Sequence, residues 1–153
     1  MPQFSTPFII EMASVTDYIE ITDVWEASVR ATHHFLPESD IFYFKPLILN
    51  EYLKAVHLEC IRSTDGAIMG FMGVHGDSLE MLFIHPDAHG QGLGAFFVQH
   101  AIHELGVTRV DVNEQNPQAV GFYQHMGFQI ISRSETDGLG KPYPILHLEK
   151  RSN

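Results

Sequence analysis

The chain of 153 residues has one cysteine, one tryptophan and only nine lysines and arginines, against nineteen aspartates and glutamates. Each scarcity excludes something. A single thiol, Cys60, forbids an internal disulfide, and its place in the alternating stretch 55–61 marks it as an inert core residue. A formal charge of −10 without a basic stripe removes nucleic acid from the expected partners, because that binding depends on Lys and Arg neutralising phosphates. No apolar run approaches the length that crosses a bilayer, and no basic segment followed by an apolar core opens the chain. The expectation is a cytoplasmic protein with no membrane partner. Gly-Lys-Ser/Thr does not occur, so a Walker phosphate loop is excluded. The acidic surface favours a cationic, amine-bearing partner by long-range attraction.

What is present reads as one domain over residues 1–153, with an apolar content of 44% and no repeat, linker or low-complexity segment. Residues 8–12 form a first strand. Ser14 or Thr16 caps a helix to Thr32, with Ile19, Val24, Trp25, Ser28 and Val29 on its apolar side. Pro37 opens a second helix to about Tyr52. Strands 55–62 and 67–75 are joined by an Asp65-Gly66 hairpin turn, and a third strand runs over 79–84. A helix to Leu105, a strand 108–113, a helix 117–126 and strands near 128–134 and 144–149 follow. This order predicts an α/β fold: a mixed, mostly antiparallel central sheet with helices on both faces.

The most informative stretch is 83–95. An apolar strand passes through Pro86 into His89-Gly90-Gln91-Gly92-Leu93-Gly94-Ala95 and then a helix with Leu93, Phe96, Phe97, Ala101, Ile102 and Leu105 at helical spacing. Alternating glycines let successive N–H groups converge, and the helix start adds unpaired donors and a positive dipole end. That combination suits a phosphate or pyrophosphate and needs no cationic side chain. Gly90-x-Gly92-x-x-Ala95 with Asp111 also fits a dinucleotide (NAD) fingerprint. Five residues, Pro86 among them, separate strand from glycine, Asp111 lies inside a strand, and too little chain remains for further βα units, all against that reading.

About twenty residues on comes Asn116-Pro117-Gln118-Ala119-Val120-Gly121-Phe122-Tyr123-Gln124-His125-Met126-Gly127-Phe128. The two elements together resemble the GCN5-related N-acetyltransferase (GNAT) family, with its Arg/Gln-x-x-Gly-x-Gly/Ala loop followed by Asn-x-x-Ala-x-x-Phe-Tyr-x-x-x-Gly-Phe. The second element matches at Asn116, Ala119, Phe122, Tyr123, Gly127 and Phe128. His89 departs from the first position of the loop, so one cationic phosphate contact is weakened or made pH-dependent. The turn Gly140-Lys141-Pro142-Tyr143-Pro144 is similar to one in small bacterial acetyltransferases. The resemblance implies an acetyl-coenzyme A-dependent N-acetyltransferase in which strands 79–84 and 108–113 splay and the pantetheine arm enters as an extra strand. Its acceptor is a primary amine of a small molecule or peptide, and a homodimer stays open. The alternative is a non-catalytic acyl-coenzyme A-binding module.

Acetyl transfer needs a neutral amine, a donor for the developing oxyanion and a leaving thiolate. A lysine amine at pKa ~10.4 is neutral to roughly 4 parts in 10,000 at pH 7, a deficit of about 4.6 kcal/mol, so a base helps. The resemblance assigns Tyr123 to the leaving sulfur, as a hydrogen-bond donor more than a full acid. Glu80, read as sharing one strand face with Leu82 and Ile84, is the first choice of base, and His75 the second. The oxyanion donor is a backbone N–H of Leu82, Phe83 or Ile84. Residues 89–95 hold the pyrophosphate. Asn116 caps its helix, and the resemblance brings it near the pantetheine or leaving-group region. Asn113 ends its strand at the cleft, and the resemblance places Thr32, His33 and Phe35 in the acceptor wall. Among ten histidines only His100 and His103 share a helix face, without a zinc pattern, so no metal is expected. Direct attack follows, since Cys60 has no base beside it.

Overall fold

The computed structural model describes residues 8–151. Strand β1 (Ile10–Met12) leads through a 3₁₀ turn at Val15–Asp17 into α1 (Tyr18–Thr32), and α2 (Glu38–Leu47) follows. Asp17 accepts the Ser14 N–H at 2.9 Å, which anchors the start of the turn. Helix α1 buries Ile21, Val24, Trp25, Ser28 and Val29, the spacing of one helical face. Ile19, expected on that face, is 69% exposed; Ile21 carries the phase instead.

The expected single helix to Tyr52 is interrupted. Pro46 lies inside α2 and has no N–H for the i→i−4 ladder, and the chain rewinds as a π turn at Ile48–Tyr52 and a 3₁₀ turn at Leu53–Ala55.

The remaining elements are β2 (His57–Arg62), β3 (Ile68–His75), β4 (Ser78–Ile84), α3 (Leu93–Leu105), β5 (Arg109–Asn113), α4 (Pro117–His125), β6 (Phe128–Ser134) and β7 (Ile145–Lys150). They form one seven-stranded sheet in the order β1-β2-β3-β4-β5-β7-β6. All neighbours are antiparallel except β4 and β5. One core, including Met72, Phe97, Val98, Val110 and Leu148, lies under α3 and α4. A second, including Ile21, Trp25, Leu53, Phe71 and Met81, lies under α1 and α2. Helices therefore cover both faces. Cys60 is fully buried in the second core, where burial pushes its thiol up to about 11. Among the described residues, no helix is long and apolar enough to cross a membrane.

The parallel pair is short. Strands β4 and β5 pair only at Ser78↔Arg109 and Leu79↔Val110, while β5 stays paired to β7 over its whole length. Asp77 clamps the closed end: its carbonyl accepts the N–H groups of Thr108 (2.8 Å) and Arg109 (3.1 Å), and its carboxylate meets the Arg109 guanidinium at 3.0 Å. Beyond that clamp the strands part. The expected splay is present.

Candidate active site

The glycine loop is built from β4 outward. After a 3₁₀ turn at Pro86–Ala88, Gly90 and Gly92 take φ of 81° and 84°, the left-handed region that side chains resist. Among the described residues none of the N–H groups of residues 90–95 donates to a backbone carbonyl; Phe96 is the first, to Gly92 at 3.0 Å. Gly90, Gln91, Gly92, Leu93, Gly94 and Ala95 thus present a row of donors at the N-terminus of α3, which suits a pyrophosphate. The Leu93 side chain is core, so only its backbone serves. The His89 ring folds back, its Nε2 3.1 Å from the Ile84 carbonyl. Since a carbonyl only accepts, that nitrogen carries the proton.

Backbone polarity in the gap follows from the β3–β4 register. His85 N–H donates to Met69 at 2.8 Å, and hydrogen-bonded pairs alternate along an antiparallel ladder. Phe83 is therefore paired with Phe71, and the N–H and C=O groups of Leu82 and Ile84 point away from β3 toward the gap. A cavity of about 160 Å³ opens there between residues 79–83 and 110–113, with Asn116, Ala119 and Tyr123 behind it. A second, of about 250 Å³, continues past Ile84, His89 and Gly94 to Phe122 and Tyr123. Together they make a channel from the glycine loop to the middle of the sheet. Asn116 accepts the Ala119 N–H at 3.3 Å with Pro117 at the first helical position, so its capping role is realised at the channel wall.

Tyr123 lines both cavities and is 8% exposed, with its ring edge-on to Phe122 and Phe128. Of the two aromatics, Tyr123 is the more deeply placed. Burial alone pushes its phenol above the ordinary range, which keeps it protonated and able to donate.

On the α1–α2 side lies a larger cavity of about 440 Å³, walled by Trp25, Phe35, Phe44, Tyr52, Phe83 and Tyr143 and carrying Glu80, Asn113 and Asp137. Glu80 reaches it through a bulge. Gly73 pairs with Met81 but Val74 pairs with Leu79, so Glu80 is an extra residue opposite no partner. Alternation is broken there. Glu80 lines the large cavity with Phe83 as well as the channel, whereas Leu82 and Ile84 line the channel without reaching the large cavity, so the expected common face of all three does not form.

His33 lines all three cavities and is the hinge between them. Thr32 Oγ1 donates to the Ser28 carbonyl and lies 2.8 Å from His33 Nδ1. A hydroxyl has one hydrogen, already given to Ser28, so Nδ1 carries a proton and Nε2 is left with its lone pair. Burial, with a smaller contribution from His34, pushes the imidazole down to about 4, so the ring is neutral near pH 7.

His75 is not brought to this site. It pairs with Ser78 at the closed end of β4, because an antiparallel hairpin sets the C-terminal end of β3 beside the N-terminal end of β4. His100, weighed above as a ligand, instead lies 3.1 Å from the buried Glu59 carboxylate, which also meets His57 at 2.9 Å. Phe44, Tyr52 and Asp137 carry no signal in the sequence, Trp25 reads there only as a core residue of the first helix, and Tyr143 is marked by its Gly-Lys-Pro-Tyr-Pro turn.

The parted parallel pair, the donor-rich loop at its mouth and the channel between them are the layout of an acyl-coenzyme A acetyltransferase. A family model for the acetyltransferase (GNAT) domain matches residues 44–140. The chain is 42% identical over 125 residues to peptidyl-lysine N-acetyltransferase YjaB of Salmonella typhimurium, covering 82% of this chain and 86% of that protein. The solution structure of apo-form YjaB from Escherichia coli superposes with a TM-score of 0.85 at 36% identity, over 97% of this chain and 100% of that one. The PaiA N-acetyltransferase of Thermoplasma acidophilum, solved with coenzyme A, shares the fold at a TM-score of 0.72 and 20% identity, over 95% of this chain and 100% of that one. The chain belongs to the GCN5-related N-acetyltransferase family. It is a GNAT-type N-acetyltransferase, and its acetyl donor is acetyl-coenzyme A.

Proposed function

We propose that this enzyme acetylates the side-chain amine of lysine within a peptide or protein, by direct attack of the neutral amine on the thioester. The observation that supports this most is the large aromatic-walled cavity meeting the channel at Glu80, Asn113 and His33. Aromatic walls suit the aliphatic arm of a lysine, and the carboxylate suits its head. The name carried by the relative at 42% identity agrees.

In this reading the N–H row of residues 90–95 holds the pyrophosphate, the His89 N–H being committed to the Pro86 carbonyl at 3.3 Å. The gap-facing groups of Leu82 and Ile84 pair with the pantetheine amides, and an N–H among them receives the oxyanion. Phe83 contributes its ring, since its backbone is committed to β3. Glu80 draws in the ammonium and relays its proton to solvent, which speeds access to the neutral amine while the deficit of about 4.6 kcal/mol at pH 7 stays part of the barrier. His33 Nε2 accepts an N–H of the attacking amine and orients it, with Thr32 fixing the tautomer and Phe35 and Asn113 forming the wall. Tyr123 donates to the departing sulfur, with proton transfer following later.

The test is thiol release from acetyl-coenzyme A with an N-terminally blocked lysine peptide, the same peptide with lysine replaced by norleucine, and free small amines. Turnover should require the lysine side chain. Turnover on small amines alone would remove the peptide assignment, and binding without turnover on any amine would favour a non-catalytic acyl-coenzyme A module.

A further inference from the structure

The outer wall of the large cavity is the irregular turn between β6 and β7, which supplies Asp137, Gly138, Leu139 and Tyr143. This turn is closed on itself. Asp137 Oδ1 accepts the N–H groups of Leu139 and Lys141, each at 2.9 Å. The backbones of Asp137 and Lys141 pair at 3.1 Å, and Tyr143 N–H donates to Lys141 at 2.7 Å. A turn tied this way moves as a unit.

Its attachment to α2 is of a different kind. Among the described residues, the side-chain hydrogen bonds joining the turn to α2 end on one carboxylate: Asp40 accepts from the Tyr143 hydroxyl at Oδ2 and from Lys141 Nζ at Oδ1, 3.2 Å away. The Lys141 ammonium also stands over the Tyr43 ring, 4.4 Å from its centroid. The Asp40 and Lys141 side chains are 16% and 27% exposed, so the contact is partly screened from water. The Tyr143 ring in turn packs on Phe35, centroids 5.8 Å apart. One acidic side chain at the start of α2 thereby fixes the distance between two walls of the cavity.

We propose that Asp40 is a positioning residue that clips the 137–143 turn to α2 and sets the width, and so the acceptor specificity, of the amine cavity. This rests on the reading of that cavity as the acceptor site. Asp40 lines neither the large cavity nor the channel. Its loss should widen the cavity without disturbing the channel or the glycine loop.

Asp40→Ala, Asp40→Asn and Tyr143→Phe are the variants. Hydrogen exchange over residues 135–144, with no substrate present, should quicken about tenfold in Asp40→Ala. Acceptor KM should rise about tenfold with kcat and the KM for acetyl-coenzyme A within about twofold, and bulky amines should gain on slim ones. Asp40→Asn keeps an oxygen for Tyr143 and should fall between parent and alanine; Tyr143→Phe, which removes one hydroxyl, guards against a misfolded alanine variant. Unchanged exchange over 135–144 together with an unchanged acceptor KM in the folded variants overturns the proposal. The exchange measurement needs no turnover, so if the parent acetylates nothing, the acceptor-site reading fails separately and the clip is still judged.

Discussion

Tyr123→Phe separates chemistry from architecture more sharply than any other change. The hydroxyl is deeply placed, and burial alone accounts for the raised phenol, so its removal leaves no charged partner stranded. Deleting a buried hydroxyl that lacks a strong partner is close to neutral for stability, and Phe keeps the edge-on packing against Phe122 and Phe128. Catalysis should respond differently. A hydrogen bond to a group that becomes charged contributes about 1.5–3 kcal/mol, which is roughly 10- to 150-fold in rate. The raised phenol also means that Tyr123 stays protonated across the working range, so it contributes no alkaline fall in activity below pH 10. The assay is single-turnover thiol release at saturating acetyl-coenzyme A, alongside thermal unfolding and calorimetric binding. The expected result is a rate lowered at least about tenfold, with melting temperature and cofactor affinity nearly unchanged. An unchanged single-turnover rate, or a parent whose activity falls with an alkaline limb that Tyr123→Phe abolishes, would refute the assignment.

Gly92→Ala forces a side chain into φ of 84° and should weaken acetyl-coenzyme A binding about tenfold by calorimetry, while Gly121→Ala, in open space on α4, should not. The His33 prediction concerns stability. Its folded pKa of about 4 lies below the ordinary 6.5, so the unfolded chain binds more protons in that window. Its contribution is present above pH 6.5 and lost as pH falls toward 4, about 2 kcal/mol of it between pH 7 and 5. Urea unfolding at both pH values should show that difference shrinking in His33→Gln; an equal loss in both proteins would contradict the neutral, half-buried ring.

Strong local patterns make the fold legible in the sequence. The alternating strands, the Asp65-Gly66 hairpin and the glycine loop each carry their structure in a few neighbouring residues, and their order dictates the sheet. What was hidden is non-local. Trp25, Phe44, Tyr52, Asp137 and Tyr143 meet in one cavity although more than a hundred residues separate the first from the last, and no periodicity reports such a meeting. The Asp40–Tyr143 contact is of the same kind. Pro46 was visible, but whether it ends a helix or makes it rewind depends on what the next turn packs against, and here Ile48 and Leu53 are buried.

Glu80 shows how one inserted residue defeats a reading based on strict alternation. Strict alternation groups it with Leu82 and Ile84, and on that parity it would line the channel without reaching the large cavity. One inserted residue reverses the parity: Leu79 still pairs with Val74 and Met81 with Gly73, and Glu80 swings to the large cavity. The bulge stands just past the last β4–β5 pair, at Leu79↔Val110, where the strands begin to part. A bulge bends its strand and strengthens its twist, so the same local irregularity that turns the carboxylate toward the large cavity also carries β4 away from β5. The placement of this carboxylate and the parting of the strands are then consequences of one backbone feature: deletion of Glu80 should weaken acetyl-coenzyme A binding and turnover together, whereas Glu80→Gln should slow turnover and leave calorimetric binding nearly unchanged.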